Sequence, residues 1–333
     1  MRATIVTRLT RLAAAVAAAV FLCAMVGLAQ PAVQQNNGRS GLQVLPVRGN
    51  IYMVVGAGSN IVLQVGPDGV LIVDSGSGER SDDVIAAVRT LTDRPIRWIV
   101  DTHLHPDHTG GNSTIAKAGR SVPQLTIGAG KLFSDGDQTA TIVAHENVLK
   151  RMSAAQETND NLPLTTFFGK EKELFFNGEP VQIIHQPAAH TDGDVFVFFR
   201  RTDVVASGDI FVTTTYPVID ESTGGTITGF IDAVNDLIHI MIPEQKQEGG
   251  TYVIPGHGRL SDEADVVEFQ EMVTIVRDRI QVMVRQGMTL EQVKAAKPTL
   301  DYDARYGARS TAWTTDRFVE AVYRTVPRAA VQK

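Results

Sequence analysis

Short apolar runs separated by glycine-rich turns fill much of the first 260 residues, and such runs predict β-strands. Three runs come first, at residues 51–55, 61–65 and 70–73. A fourth, at 96–100, follows a helix predicted over 81–91 with Ser81 as its cap. Later runs predict strands at residues 171–176, 181–185, 195–199, 204–206 and 252–254. Strands mixed with helices in this way indicate a layered α/β fold.

A helical period replaces this pattern from residue 261. Apolar side chains then recur at intervals of three and four residues, on one face of a helix that we expect to run to about residue 285. Its apolar positions are Val266, Phe269, Val273, Val276 and Ile280. Two further helices are predicted, from Thr289 to Pro298 and over 315–325. We expect these helices to pack on the preceding residues, while a role in covering a cleft or in dimerisation stays open.

The amino-terminal residues have the pattern of an export signal. Three arginines precede an uncharged, alanine-rich stretch at 12–29, and no acidic residue occurs before position 30. This pattern predicts a secretory signal peptide over 1–29, followed by a flexible lead-in over 30–42. We therefore expect a secreted or periplasmic protein, with an uncleaved membrane anchor as the alternative.

Composition limits the domain organisation and the classes of partner that the protein can bind. The 333 residues are 43% hydrophobic, enough for a full core, and we expect a catalytic domain at 43–260 with a helical extension at 261–333. The net charge of −6 becomes −9 without the three leader arginines, which argues against nucleic acid as a partner. Cys23 is the only cysteine, so cysteine metal ligands are excluded. We expect a small-molecule substrate and no membrane association after cleavage, and the oligomeric state stays open.

The strongest chemical signal is the segment 103–108, which contains three of the eight histidines of the chain and an aspartate. Positions two apart on an extended backbone point to the same side, so His103 and His105 can hold one metal ion together. Asp107 and His108 are adjacent, and they can approach a second ion only if the chain turns there. The segment therefore predicts a metal site built after the strand at 96–100.

Three more candidate ligands stand beside predicted strands further along the chain. His190 precedes one of these strands, whereas Asp209 and His257 each follow one. Glycine or alanine flanks each of them, which suits side chains delivered to a cleft at one edge of a sheet. Imidazole and carboxylate ligands together suit zinc, iron and other divalent transition metals.

This order of ligands resembles the metallo-β-lactamase-fold hydrolase superfamily, whose members carry His-x-His-x-Asp-His and then a distant His, Asp and His. The resemblance covers about residues 42–260 and implies an αββα sandwich with two metal ions at one edge of its sheets. It implies a first ion on His103, His105 and His190, a second on Asp107, His108 and His257, and Asp209 bridging both. An aspartate at the bridging position is similar to the glyoxalase II-like branch, whereas β-lactamases of this fold often have cysteine there.

The resemblance also implies the chemistry. Two divalent cations, zinc foremost with iron or manganese as alternatives, lower the pKa of a shared water, so a metal-bridging hydroxide is the expected nucleophile. Asp107, as a proton shuttle, and Asp209 are the expected catalytic carboxylates. We expect a small ester, thioester, lactone or amide as substrate. The alternatives are hydrolysis of a β-lactam ring, an iron-dependent oxidoreductase of the same fold, and a non-catalytic binding protein.

Four further residues are expected around the metal ligands. Asp74 and Asp101 are candidates to orient the imidazoles by hydrogen bonds, with a turn or capping role as the alternative. His145 and Tyr216 are candidates to line the cleft, and ordinary packing is the alternative for both. The loops at 152–168 and 212–229 are expected to shape that cleft.

Overall fold

The computed structural model of the chain describes residues 41–122, 125–128, 131–133, 139–307 and 313–327. The predicted signal peptide and residues 30–40 of the lead-in lie outside the described residues. Leu42, at the end of the predicted lead-in, is buried in the core. Within the described ranges, no helix combines the length and the apolar character needed to cross a membrane.

A seven-stranded sheet forms the first half of the fold, in the order β1-β2-β3-β4-β5-β8-β9. Neighbouring strands are antiparallel up to β4 and parallel from β4 to β9. Its strands are β1 (Gln43–Arg48), β2 (Ile51–Ala57), β3 (Ser59–Gly66), β4 (Gly69–Val73), β5 (Ile96–Val100), β8 (Thr141–His145) and β9 (Thr165–Phe167). A separate hairpin pairs β6 (Leu125–Gly128) with β7 (Lys131–Phe133).

A five-stranded sheet forms the second half, in the order β10-β11-β12-β13-β14. Its pairs are antiparallel except the last, β13 with β14, which is parallel. The strands are β10 (Glu171–Phe176), β11 (Glu179–His185), β12 (Val195–Phe199), β13 (Val204–Ala206) and β14 (Tyr252–Ile254). The predicted strands of both sheets agree with these bounds to within two residues at each end.

The described part of the chain contains nine α-helices. They are α1 (Ser81–Leu91), α2 (Pro106–Thr109), α3 (Asn112–Lys117), α4 (Glu146–Ala154), α5 (Ile227–Ile240), α6 (Glu263–Arg285), α7 (Leu290–Ala295), α8 (Asp303–Tyr306) and α9 (Thr315–Thr325). Short 3₁₀ turns occur at Gly78–Arg80, Asn159–Asn161, Gly208–Ile210 and Glu221–Thr223.

Three buried clusters show how these layers pack. Between the sheets, Met53 and Leu71 from the first sheet join Val181 and Phe199 from the second. Helices α1 and α3 pack on the outer face of the first sheet. Helices α5, α6 and α9 pack on the outer face of the second sheet. The αββα sandwich with a carboxy-terminal helical region is thus confirmed.

The carboxy-terminal helices belong to the same core as the second sheet. Phe269 of α6 is fully buried and contacts the rings of Phe211, Phe230 and Tyr306. Residues on both sides of position 260 therefore share one apolar cluster. Because an apolar face in contact with a sheet is removed from water, this packing stabilises the extension and the sheet together.

Two local predictions differ from the structure. Ser81 is the first residue of α1 instead of its cap, because a 3₁₀ turn precedes the helix and the Ser81 hydroxyl donates to the carbonyl of Gly78. Helix α5 is absent from the predictions, although Ile227, Phe230 and Val234 follow a helical period. Several glycines around its start favour a loop when the sequence is considered alone.

Truncating the centre of the shared cluster should destabilise the whole protein. We expect Phe269→Ala to lower the free energy of unfolding by about 3–5 kcal/mol, because it removes a fully buried ring and leaves a cavity. The matched control is Ile275→Ala on the same helix, where the side chain is 40% exposed and the loss should be much smaller. Urea denaturation measures both values. Equal losses in the two variants would contradict a shared core centred on Phe269.

Candidate metal centre

The histidine-rich segment leaves β5 and then turns. His105 has extended backbone angles and stands immediately before α2, where Pro106 occupies the first helical position. The amide of His108 donates to the carbonyl of His105 over 2.9 Å, which closes the turn. The turn expected for Asp107 and His108 is therefore present, and it brings both residues next to His257.

The seven predicted ligands fall into overlapping groups whose ligand atoms lie within 4.8 Å of one another. The groups are His103 with His105 and His190, His103 with His108 and Asp209, and Asp107 with His108 and His257. We call the first and third of these sets the first group and the second group. The structure thus brings together residues that are separated by up to 154 positions in the sequence.

Asp209 lies between the two groups. Its Oδ1 is 3.3 Å from His108 Nε2 and 3.5 Å from His257 Nε2, both of the second group. Its Oδ2 faces the first group, 3.8 Å from His190 Nε2. A carboxylate that presents one oxygen to each group has the geometry required of a bridging ligand.

The outer nitrogens of four imidazoles are already engaged, so in the neutral form of each ring the inner nitrogen has the free lone pair. The Thr102 hydroxyl donates to Asp74, so His103 Nδ1 must donate to that hydroxyl. His108 Nδ1 donates to Asp74, His190 Nδ1 to the carbonyl of Val218, and His105 Nε2 to Asp220. Such outer contacts fix the tautomer of metal-binding histidines.

Several inner atoms have no protein partner and are suited to a cation. His103 Nε2, His108 Nε2 and Asp209 Oδ1 are buried without a hydrogen-bond partner among the described residues. His105 Nδ1 and His190 Nε2 lie 2.9 Å apart with both lone pairs facing each other, an arrangement that a cation between them would relieve. Burial of unpaired polar atoms is costly. The donor set, five imidazoles with two carboxylates, therefore fits two divalent transition-metal ions.

Asp74 supports both groups through one carboxylate. Its backbone is left-handed, with φ of 61°, a conformation that aspartate tolerates better than most residues. Its Oδ1 accepts from the amide of Thr102, and its Oδ2 accepts from the Thr102 hydroxyl and from His108 Nδ1 at 2.7–2.8 Å. The structure thus places Asp74 in the orienting position proposed from the sequence.

Asp101 differs from its expected position. Its Oδ2 accepts from the side-chain amide of Asn112 at 2.9 Å, and no hydrogen bond joins it to an imidazole among the described residues. Burial raises the pKa of Asp101 well above its usual range. Asp101 follows β5 directly, and its side chain points to α3 instead of to the ligand segment that begins two residues later.

His145 and Tyr216 also lie away from the ligands. His145 precedes α4, accepts from the amide of Asn147 and stacks on the ring of His185 at 3.5 Å. Tyr216 is 1% exposed, stacks on Phe318, and donates to Asp303 Oδ1 over 2.9 Å. The packing alternative therefore describes both residues, and the expectation that they line the cleft is corrected.

Asp220 is a site residue that the sequence analysis missed. Its Oδ2 accepts from His105 Nε2 at 3.1 Å, and its own amide donates to the carbonyl of His190. It lies 115 residues from His105, within the loop at 212–229 that was expected only to shape the cleft. An acidic residue two positions before a serine looks like a local cap, so no sequence signal distinguishes it.

The loop that carries His257 is held against the first sheet. The side-chain amide of Asn60 donates to the carbonyls of Pro255 and Gly258. The backbone amide of Asn60 donates to the carbonyl of Gly256. Gly256 has no room for a side chain, because a Cβ there would lie 2.0 Å from Asp209 Oδ1. Close approach of this backbone therefore helps to enclose the bridging carboxylate.

The two groups differ in their preferred charge. Burial, together with the neighbouring imidazole of His108, holds the pKa of His103 well below its usual range, and burial lowers that of His190 to about 4. Burial also lowers the pKa of His108, but the charges of Asp209 and Asp74 outweigh burial and raise this pKa well above the usual value. His103 and His190 are therefore unprotonated donors, whereas metal binding at His108 must release a proton.

A large part of the chain matches the model of a known protein family. The family model described as the metallo-beta-lactamase superfamily matches residues 54–257, which is more than half of the chain. The chain belongs to the metallo-beta-lactamase superfamily. This confirms the resemblance found in the sequence and the expectation of an enzyme of this superfamily.

Two curated proteins are similar to this chain in sequence. A linear primary-alkylsulfatase from Pseudomonas sp. (strain ATCC 19151) is 25% identical over 248 residues, 64% of this chain and 44% of the relative. The alpha subunit of a 2,4-dinitroanisole O-demethylase from Nocardioides sp. (strain JS1661) is 24% identical over 180 residues, 53% of this chain and 48% of the relative. The chain thus spans less than half the length of either relative.

Solved structures share the fold of this superfamily. The stereoselective sec-alkylsulfatase Pisa1 from Pseudomonas sp. aligns with a TM-score of 0.62 at 13% identity, over 84% of this chain and 49% of Pisa1. A metallo-beta-lactamase from Pontibacter korlensis aligns with a TM-score of 0.54 at 15% identity, over 70% of this chain and 99% of that protein. At these identities the likeness establishes the fold alone.

The stacked histidines outside the centre should make stability sensitive to acid. Burial and the neighbouring His185 lower the pKa of His145 to about 4, so the unfolded chain binds this proton more readily than the folded one. Stability is then lost as the pH falls below about 6.5 towards 4, by at most about 1.4 kcal/mol per pH unit. We expect His145→Asn, which keeps a capping side chain, to show a shallower loss in urea denaturation of the metal-free protein.

The control for this prediction is His239→Asn. His239 is exposed on α5, and its replacement should leave the dependence of stability on pH as it is in the unmodified chain. If His145→Asn and His239→Asn gave the same slope, the buried histidine would not be the source of the acid sensitivity.

Proposed function

We propose that this protein is a hydrolase that holds two divalent metal ions, most readily zinc, and cleaves a small ester or a related acyl bond. The observation that carries the proposal is the position of Asp209, with one oxygen towards each histidine group. The buried inner atoms without a hydrogen-bond partner support the proposal, because they are the atoms to which two cations would bind.

The ligands divide between the two ions as the groups do. His103, His105 and His190 would hold the first ion through inner nitrogens that carry no proton. Asp107, His108 and His257 would hold the second, and Asp209 would contact both. When bound, two such ions supply Lewis acidity and lower the pKa of a water molecule between them to near neutrality.

Asp107 is the residue best suited to move a proton. Its side chain is 39% exposed and Oδ2 lies 3.2 Å from His257 Nε2. Burial alone would raise its pKa, but the hydrogen bond from His257 and the charge of His108 outweigh burial and hold the pKa below the usual range. Asp107 is therefore an ionised carboxylate at neutral pH that can take up a proton at Oδ2 and deliver it to a leaving group.

The substrate class follows from charge and from the relatives. A net charge of −6 disfavours nucleic acid, and membership of this superfamily favours small esters, thioesters, lactones and amides. Sulfate esters join this set because one relative is an alkylsulfatase. The pattern of residues 1–29 supports export as part of the same proposal, with the reaction taking place outside the cytoplasm.

The test is metal content together with turnover in the full-length chain. We expect about two zinc ions per chain and hydrolysis of at least one member of a panel with a carboxylic ester, a thioester, a lactone, an amide, an alkyl sulfate and a β-lactam. Asp209→Ala should lower turnover by at least about 10²-fold, because it removes the bridging ligand. Asp82→Ala, an exposed acid on α1, is the control and should keep full turnover.

The result also separates the alternatives. Turnover of the β-lactam alone would make the protein a β-lactamase in spite of its aspartate at position 209. Iron with oxygen consumption and no hydrolysis would move it to the oxidoreductases. Absence of bound metal after reconstitution with zinc, iron and manganese would overturn the proposal.

A further inference from the structure

One short segment of the chain contacts two of the three imidazoles of the first group. The segment is 218–225, between β13 and α5. The carbonyl of Val218 accepts from His190 Nδ1 over 2.7 Å, and the amide of Asp220 donates to the carbonyl of His190 over 2.9 Å. Asp220 Oδ2 accepts from His105 Nε2 over 3.1 Å. His105 and His190 are thus oriented from the same few residues.

The carboxylate of Asp220 is itself held in place. Its Oδ1 accepts from the amide of Ser222 at 3.0 Å and from the Ser222 hydroxyl at 2.6 Å. Its carbonyl accepts from the amide of Gly225 at 2.9 Å, which closes the segment on itself. A Cβ on Gly225 would lie 2.3 Å from the carbonyl of His190, so the segment and the histidine are in close contact. Asp220 therefore has little freedom to leave His105.

This contact determines which nitrogen of His105 faces the site. With Nε2–H donated to Asp220, the unprotonated Nδ1 is the atom 2.9 Å from His190 Nε2. The His105 side chain is 25% exposed, so without Asp220 water would compete for Nε2 and the ring could turn or change tautomer. Loss of such an outer partner typically costs 10–100-fold in metal affinity.

The second group takes no support from Asp220. His108 donates its outer hydrogen bond to Asp74, which follows β4 in the first sheet. Within the described part of the chain, Asp220 has no hydrogen bond or ion pair with Asp107, His108 or His257. Asp220 thus supports the first group alone, and its removal should affect one metal site.

We propose that Asp220 is a positioning residue that holds His105 in its Nδ1-binding tautomer and thereby sets the affinity of the first metal site without setting that of the second. This inference rests on the proposed function, because it assumes that two ions bind.

The experiment compares three full-length variants in metal titration. The metal-free protein is titrated with zinc against a competing chelator, and both dissociation constants are obtained. Asp220→Ala should weaken one site by 10–100-fold and leave the other within about twofold. Asp220→Asn keeps an acceptor oxygen for His105 and should lose less than Asp220→Ala. Asp74→Asn is the comparison variant: Asp74 contacts His108 directly and His103 only through Thr102, so this change should weaken the second site more than the first.

A second readout needs no metal. In the metal-free protein labelled with ¹⁵N-histidine, long-range ¹⁵N–¹H correlation spectra report which ring nitrogen of His105 carries the proton. We expect Nε2–H in the unmodified chain and in Asp220→Asn, and a mixture of tautomers in Asp220→Ala. Circular dichroism of each variant shows that the fold is retained.

The outcomes separate the two proposals. If the unmodified chain binds two ions and Asp220→Ala binds both with unchanged affinity, the positioning role is wrong and the proposed function stands. An equal loss at both sites would also overturn the role, because it would indicate a general disturbance. If the unmodified chain binds fewer than two ions, the proposed function fails, and an unchanged His105 tautomer in Asp220→Ala would then reject the positioning role as well.

Discussion

The buried carboxylate of Asp209 is the constraint on which the rest of this site depends. Its side chain is 10% exposed, and an ionised carboxylate in such a place is unfavourable unless charges and donors surround it. Burial would raise its pKa, but the charges of His108 and His257 outweigh burial and hold the pKa well below the usual range. The glycine at position 256 is needed for the same reason, because any side chain there would strike this carboxylate.

The two sheets meet around that carboxylate and each contributes part of the site. The first sheet provides the segment 103–108 after β5, together with Asp74 after β4. The second sheet provides His190, Asp209 and His257 next to its strands. The carboxy-terminal region contributes indirectly. Its residues accept hydrogen bonds from the hydroxyl of Tyr216, which lies four residues before Asp220. Packing between the sheets, and of helices on them, therefore determines the distances between ligands far apart in sequence.

Much of this could be predicted from local pattern. Alternation of apolar runs and turns indicated the strands, and a period of three and four residues indicated α6. The dense segment 103–108 could be interpreted as metal ligands because few other roles require three histidines in six positions. Local pattern failed for Asp101, because the sequence around an acidic residue two positions before a ligand does not determine the direction of its side chain. It failed for Tyr216 because the sequence pattern around a loop aromatic residue is the same whether the ring packs in a core or lines a cleft.

The sequence by itself determined the residue types at the site, the order of the strands along the chain and the family to which the protein belongs. Those properties depend on the identity and order of residues along the chain, which the sequence contains directly. The tertiary structure alone decided that Asp220 reaches His105 across 115 residues, that Asp209 presents one oxygen to each group, and that Tyr216 packs under the last helices. These contacts join distant segments, and they exist only once the burial of apolar surface has brought both sheets and the helices together.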